Sequence, residues 1–218
     1  MTFESEKKQN SYFPFKTCET PDTDSWIAQP YSTVINLLNI LIILFFLFQT
    51  KNTYTFFFLF SILLFEISHT ASHVFHIDGS IQTTMVHSLT YVINATLLYA
   101  LYRYSGIAPS LFLSFILVSL IIIDIYAFSF LSATFYILTQ FVIFLSILFF
   151  YFTTLPTQTK SSVKWLVFLG VLIVCLVYNE IRNCDEMAKL YPDAPFHILV
   201  EIPGLFFFYL VCRSMYLL

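Results

Sequence analysis

Seven long apolar stretches dominate this sequence and restrict the folds that it can adopt. Hydrophobic residues make up 58% of the 218 positions, and only 11% are charged. A helix needs about 20 apolar residues to cross the roughly 30 Å of bilayer hydrocarbon. The sequence therefore predicts an all-α membrane protein, a seven-transmembrane helix bundle. The predicted spans cover residues 32–49, 54–75, 82–102, 107–128, 130–153, 163–181 and 196–217.

Breaks in the apolar pattern define the predicted organisation of the chain. Turn-forming residues separate several of the spans, for example residues 78–80 after the second span and Pro156 after the fifth. Residues 1–30 are polar, mixed in charge and lack the apolar region of a signal peptide. We therefore expect an N-terminal outer or lumenal segment, residues 1–30, followed by a seven-transmembrane domain, residues 31–218.

Basic residues orient the predicted bundle. Loops rich in Lys and Arg face the cytoplasm, and here the odd-numbered loops and the C-terminus are enriched in them. We expect the N-terminus on the lumenal or outer side and the C-terminus in the cytosol, in the ER, Golgi or plasma membrane. The mild net charge of −3 gives no indication of nucleic-acid binding. The basic residues behind this orientation are Lys51, Arg103, Lys160, Lys164 and Arg213.

Histidine is scarce, and its distribution indicates where a site would lie. Four of the five histidines fall between positions 69 and 87, and His197 opens the seventh span. In the predicted topology the second span ends, and the third and seventh begin, on the same side of the membrane. His76, His87 and His197 would then lie at one depth. Ionisable groups within a membrane usually serve a function, and imidazole is a common metal ligand. The sequence therefore predicts a seven-transmembrane helix bundle with an intramembrane metal site.

The second span carries a polar stripe. At 100° per residue, its polar side chains fall within about 120°, which predicts that they face the bundle interior. Side chains four residues apart, such as Ser72 and His76, can reach one point. If His69 and His73 are each considered alone, metal binding has an alternative. In this alternative, Glu66, His69 and His73 form hydrogen bonds with one another in a polar seam. The stripe consists of Glu66, His69, Ser72, His73 and His76.

The start of the seventh span offers two competing pairs of ligands. Asp193 precedes His197 by four residues, and Pro195 favours a first helical turn, so both side chains can face one direction. His197 and Glu201 form a second pair with the same spacing. Zinc accepts both carboxylate oxygen and imidazole nitrogen. As a further alternative, Asp193 would only cap the helix.

Taken together, these motifs resemble those of the alkaline ceramidase family, within the wider CREST group of seven-span membrane hydrolases. The Cys18-Glu19 pair and residues 26–36 resemble the opening motif of the family, with Gln29 in place of an acid. The stretch 72–76, Ser-His-Val-Phe-His, matches the family's Ser-x-x-x-His at the end of the second helix. The order and spacing of the motifs extend over essentially the whole chain.

Two departures from the family pattern affect the site. Where the family has an Asp in the third helix and a final His-x-x-x-His, this chain has His87 and then Asp193 and His197. One imidazole and one carboxylate have changed places, so the candidate ligands are still three histidines and one aspartate, as in the family. The family's calcium site near the N-terminus is mostly lost, and we do not predict calcium.

The resemblance implies a zinc-dependent intramembrane amidase that hydrolyses ceramide to a sphingoid base and a fatty acid. It implies that zinc is held by His76, Asp193 and His197 and activates a bound water. Ser72 would donate a hydrogen bond to the developing oxyanion. His87 would orient or deprotonate the water and protonate the leaving amine. The alternative is that His87 and not Asp193 is the metal ligand. The expected partner is a ceramide-like membrane lipid.

Other functions stay open at this point. The same zinc chemistry would serve a related lipid acyl hydrolase of the GPI-lipid remodelling type, which cleaves an ester. A non-catalytic, receptor-like relative would keep the metal for stability. A transporter is a further alternative because Glu66, Asp124 and Glu180 are polar groups at membrane depth, although Asp124 is better explained as a tether between helices.

The resemblance also implies a disulfide bond between Cys18 and Cys184. Both cysteines fall on the outer side in the predicted topology, where an oxidising compartment would allow them to pair. Cys175 and Cys212 lie inside spans and should be reduced packing residues.

Overall fold

The computed structural model describes residues 26–75, 79–130, 133–190 and 194–218. Within these ranges the chain forms seven α-helices and one short 3₁₀ helix, with no strand, in agreement with the predicted all-α fold. The helices are α1 (Pro30–Gln49), α2 (Thr53–Val74), α3 (Gly79–Ser105), α4 (Leu111–Phe130), α5 (Ala133–Phe150), α6 (Thr157–Leu190) and α7 (Ile198–Tyr216), and the 3₁₀ helix is Phe152–Thr154.

Five of these helices are long and apolar enough to cross a membrane, which makes the chain an integral membrane protein. They are α1, α2, α4, α6 and α7. Helix α5 is apolar but shorter. Helix α3 has 27 residues and carries several polar side chains that make hydrogen bonds to neighbouring helices.

Six helices surround a central space, and α4 packs on the outside. Each helix of the ring contacts the next in the order α1, α2, α3, α5, α6, α7 and back to α1. Helix α4 makes its main contact with α5. Apolar side chains such as Phe58, Leu97 and Ile147 are fully buried between the ring helices and form the core. The ring arrangement leaves room for a cavity along the bundle axis.

The start of α1, the end of α2 and the start of α7 lie together at one end of the bundle. The backbone N–H of Gln29 donates to the carbonyl oxygen of His73 at 2.8 Å, and that of Ala28 donates to Val74 at 3.1 Å. The rings of His73 and His197 lie 5.4 Å apart between centroids. The expectation that α2 ends where α7 begins is therefore confirmed.

Helix α4 is held to the ring by one buried carboxylate, Asp124. Its oxygens accept hydrogen bonds from His87 Nε2 at 2.7 Å and from the Tyr91 hydroxyl at 2.5 Å, both on α3. On α5, Gln140 Nε2 donates to Asp124 at 2.8 Å, and the Thr139 hydroxyl donates to it as well. Asp124 thus acts as the tether that the sequence suggested.

Three of the four cysteines are among the described residues. Cys175 and Cys212 are free, as expected. Cys184 is disulfide-bonded. Its expected partner, Cys18, lies outside the described residues, together with most of the predicted N-terminal segment 1–30. The pairing of Cys18 with Cys184 therefore stays a prediction.

Replacing Asp124 with alanine should loosen the attachment of α4. The substitution leaves the buried donors on α3 and α5 without their acceptor, so we expect the free energy of unfolding to fall by about 3 kcal/mol. The measurement is thermal or denaturant unfolding of the purified protein in detergent micelles. The control is Ile122→Ala on the same helix, where the side chain is 63% exposed. Equal losses in the two variants would show that Asp124 does not hold α4.

Candidate metal centre

Three histidines and one glutamate converge at the end of the bundle where α2 ends and α7 begins. We call His69, His73, His197 and Glu201 the His–Glu cluster. The Oε1 atom of Glu201 lies 3.8, 3.5 and 2.9 Å from the Nε2 atoms of His69, His73 and His197, respectively. The Nε2 atoms of His69 and His73 are 3.1 Å apart. Each helix contributes two side chains spaced four residues apart, which places them on one helix face.

Hydrogen bonds to the other ring nitrogen fix how two of these imidazoles present Nε2. The Nδ1 atom of His73 donates to Gln29 Oε1 at 2.6 Å, because that oxygen can only accept. The Nδ1 atom of His197 likewise donates to the Glu180 carboxylate at 2.9 and 3.0 Å. In the neutral form, an imidazole carries one N–H, so the Nε2 atom of each of these two rings would be the nitrogen that can bind a metal. Metal-binding histidines are commonly held in this way.

The donor set of the His–Glu cluster fits a metal ion. The side chains of His73, His197 and Glu201 are buried. Imidazole lone pairs that face a carboxylate oxygen repel it unless a proton or a cation lies between them. His69, His73 and Glu201 each offer a ligand atom, and these atoms lie within 4.8 Å of one another. Nitrogen and oxygen donors of these types are those that zinc accepts in proteins.

A cavity of about 260 Å³ lies next to the cluster inside the bundle. The residues that line it come from all six ring helices and, among the described residues, none comes from α4. A mostly apolar cavity with a few convergent polar groups is typical of a ligand site, and inside a membrane it suits a lipid. The polar side chains along its wall are those of Asn39, Glu66, His69, Thr90, Asn94, Tyr136, Gln140, His197 and Glu201.

Of the three predicted metal ligands, the structure brings His197 into the cluster. There it contacts Glu201, which is the competing pair that the sequence analysis left open. His76 and Asp193 lie outside the described residues, so their roles as metal ligands stay predictions.

The two predicted catalytic residues do not line the cavity. Ser72 is buried, and its hydroxyl donates to the backbone carbonyl of His69 at 2.5 Å. His87 is bonded to Asp124, and its ring stacks on Phe128 at 3.9 Å between centroids. Both side chains make local contacts in the described structure, and their catalytic roles stay predictions.

The described members of the polar stripe on α2, Glu66, His69, Ser72 and His73, face the bundle interior as predicted, whereas His76 lies outside the described residues. Their main partners lie on other helices. The polar-seam interpretation accounts for the contact of 3.9 Å between Glu66 Oε2 and His69 Nδ1. The polar-seam interpretation did not predict that Glu201 lies close to these histidines, nor that His73 donates a hydrogen bond to Gln29. The available sequence signal was the equal spacing of the His69/His73 and His197/Glu201 pairs on helices whose ends meet. No local pattern connects Gln29 with a histidine 44 positions later.

Comparisons of this chain with protein-family models, with curated proteins and with solved structures found no match. The resemblance to the alkaline ceramidases rests on the motifs quoted above, and the function must be argued from the site itself.

The purified protein should contain about one zinc ion per chain, and His73→Ala should remove most of it. The substitution deletes a central nitrogen donor of the cluster, so metal content measured by mass spectrometry should fall well below one equivalent. His87→Ala is the matched control, since His87 belongs to the Asp124 network and should keep its zinc. A wild-type protein without metal, or equal metal content in both variants, would contradict a metal centre at the cluster.

Gln29→Leu should weaken metal binding without removing any ligand. The change deletes the acceptor that orients His73, and losses of this kind typically cost about 10- to 100-fold in metal affinity. Competition with a chromogenic zinc chelator measures the effect. Gln49→Leu, an exposed glutamine at the other end of α1, is the control and should bind zinc like the wild type. Unchanged affinity in Gln29→Leu would mean that His73 does not bind the ion through Nε2.

Proposed function

We propose that this protein is a zinc-dependent membrane hydrolase that cleaves the acyl bond of a lipid, with the amide of a ceramide-like lipid as its first candidate substrate. One observation supports this proposal above all others. Three imidazole Nε2 atoms and a carboxylate oxygen converge beside a mostly apolar cavity inside a membrane helix bundle. The resemblance of the motifs to the alkaline ceramidases adds the amide as the bond of choice.

In this proposal, His69, His73 and His197 hold the ion. Zinc with three protein ligands supplies an activated water near neutral pH and polarises the carbonyl of the scissile bond. Gln29 and Glu180 keep two of the imidazoles in the tautomer that presents Nε2 to the ion.

Glu201 acts as the proton carrier. Its Oε1 atom faces all three imidazoles, so a water that approaches the cluster also comes within reach of this carboxylate. Glu201 takes the proton from the attacking water and returns it to the leaving amine. The apolar wall of the cavity holds the hydrocarbon chain of the lipid and keeps bulk water away from the reacting groups.

A second candidate is a metal-binding protein without hydrolytic activity. Glu201 Oε1 lies 2.9 Å from His197 Nε2, close enough for both atoms to contact one ion. Glu201 would then serve as a fourth ligand. A zinc ion with four protein ligands has no free position for water and is typical of structural sites.

Glu201→Gln separates these two functions. If Glu201 carries protons, the variant should retain zinc and lose at least about 100-fold in the rate of fatty-acid release from ceramide. If Glu201 is a ligand, the variant should lose zinc. The measurements are metal content and product release by the full chain in lipid nanodiscs.

Glu186→Gln, a change of an exposed glutamate on α6, is the control and should keep both zinc and activity. A chelator should abolish turnover in the wild type, and added zinc should restore it. A diacyl ester lipid, assayed in parallel, tests the ester-cleaving alternative. Absence of turnover on both lipids by the zinc-loaded wild type would rule out the hydrolase.

A further inference from the structure

Two asparagines along the cavity wall have hydrogen-bond acceptors that no described residue uses. Asn39 of α1 and Asn94 of α3 both line the cavity and are 1% and 8% exposed. The Oδ1 atom of each is buried and accepts no hydrogen bond from the described part of the chain. Buried carbonyl oxygens are rarely left in this state, because the lost hydrogen bond to water is costly.

The amide of Asn94 is held so that its oxygen cannot be satisfied by its neighbours. Asp124 accepts from Gln140 Nε2, which leaves Gln140 Oε1 as an acceptor. Asn94 Nδ2 donates to this oxygen at 2.9 Å. Rotation of either amide would place two donors or two acceptors against each other. The tether of α4 therefore determines that the Oδ1 atom of Asn94, a residue that lines the cavity, is left as an acceptor without a donor from the described residues.

The register between α2 and α3 gives the depth of Asn94. The hydroxyls of Ser61 and Thr96 are hydrogen-bonded at 2.9 Å, which aligns these two positions on antiparallel helices. Asn94 precedes Thr96 by two residues, so it lies level with the residue two positions after Ser61 on α2. At a rise of 1.5 Å per residue, this level is about 9 Å further into the bundle than His69.

Asn39 lies at the same depth. The hydrogen bond from the N–H of Gln29 to His73 aligns the start of α1 with the end of α2. Asn39 follows Gln29 by ten residues, which places it about 15 Å below His73 and hence about 9 Å below His69. Two unused acceptors on different helices thus share one level of the cavity, below the His–Glu cluster.

We propose that Asn39 and Asn94 form a subsite that binds the hydrogen-bond donors of a lipid, its hydroxyl or N–H groups. The level of the two asparagines lies about 9 Å from that of His69, and one hydrogen bond together with a few covalent bonds of the lipid spans this distance. The donors therefore belong to the lipid backbone next to the acyl bond and not to the far end of the hydrocarbon chain. Diacyl ester lipids have no donor at this place, so the subsite selects against them.

The inference rests on the proposed function only in placing the acyl bond at the cluster, and binding can be tested without turnover. The probes are an N-acyl sphingosine, its form with both hydroxyls methylated and its N-methylated form, all with the same chain lengths. Displacement of a fluorescent lipid from the full chain in nanodiscs measures their affinities. The methylated forms keep the hydrocarbon and remove donors one class at a time.

In the wild type, the unmodified lipid should bind roughly tenfold more tightly than at least one methylated form, the size expected for one or two hydrogen bonds between neutral groups. The form that binds weakly identifies the donor as hydroxyl or N–H. Asn94→Leu and Asn39→Leu should each reduce this ratio by about threefold or more. Asn36→Leu is the matched control, because Asn36 is also buried but does not line the cavity, and it should keep the full ratio.

Equal binding of all three lipids by the wild type, or no binding at all, would overturn the subsite. An unchanged ratio in both Asn94→Leu and Asn39→Leu would overturn it as well. A preserved ratio without hydrolysis of any lipid would leave the subsite in place and remove the hydrolase. Hydrolysis without a preference for lipids that carry donors would remove the subsite and leave the hydrolase in place.

Discussion

The burial of one carboxylate, Glu201, among three imidazoles is the constraint around which this bundle is arranged. Inside a membrane, polar groups must find partners within the protein, because lipid chains offer none. Glu201 and His197 on α7 meet His69 and His73 on α2, and hydrogen bonds from the two buried imidazoles reach a residue before α1 and a residue on α6. Four helices are thereby joined at one end of the bundle.

A second polar network, around Asp124, joins the opposite wall. It links α3 and α5 of the ring to the outer helix α4. The two networks differ in kind. Asp124 receives donors from every side and is saturated, which suits a fixed joint. The His–Glu cluster brings three imidazoles and one carboxylate together, and these are donor types that a metal ion accepts. The cavity lies between them and has polar groups from both networks along its wall.

The apolar pattern sufficed to predict seven helices and the inward direction of the stripe on α2, because both follow from periodicity along one helix. It also predicted a span at α3, which is not among the five described helices apolar enough to cross a membrane, because its sequence carries polar side chains that bond to other helices. Periodicity also left the partner of His197 undecided, since Asp193 and Glu201 stand at equal distances along the chain. The rotation of α3, which turns His87 toward Asp124, depends on contacts between helices that no single segment encodes.

The separation of α2 and α7 along the chain has a consequence for how the protein is made. About 120 residues lie between His73 and His197. At roughly 5–20 residues per second, the ribosome needs about ten seconds to complete this stretch. During that time the imidazoles of α2 are already synthesised and have no counterpart from α7. A cation bound by this cluster could therefore be acquired only late in biogenesis, after insertion of the seventh helix, since a nascent chain arrested within α6 lacks His197 and Glu201.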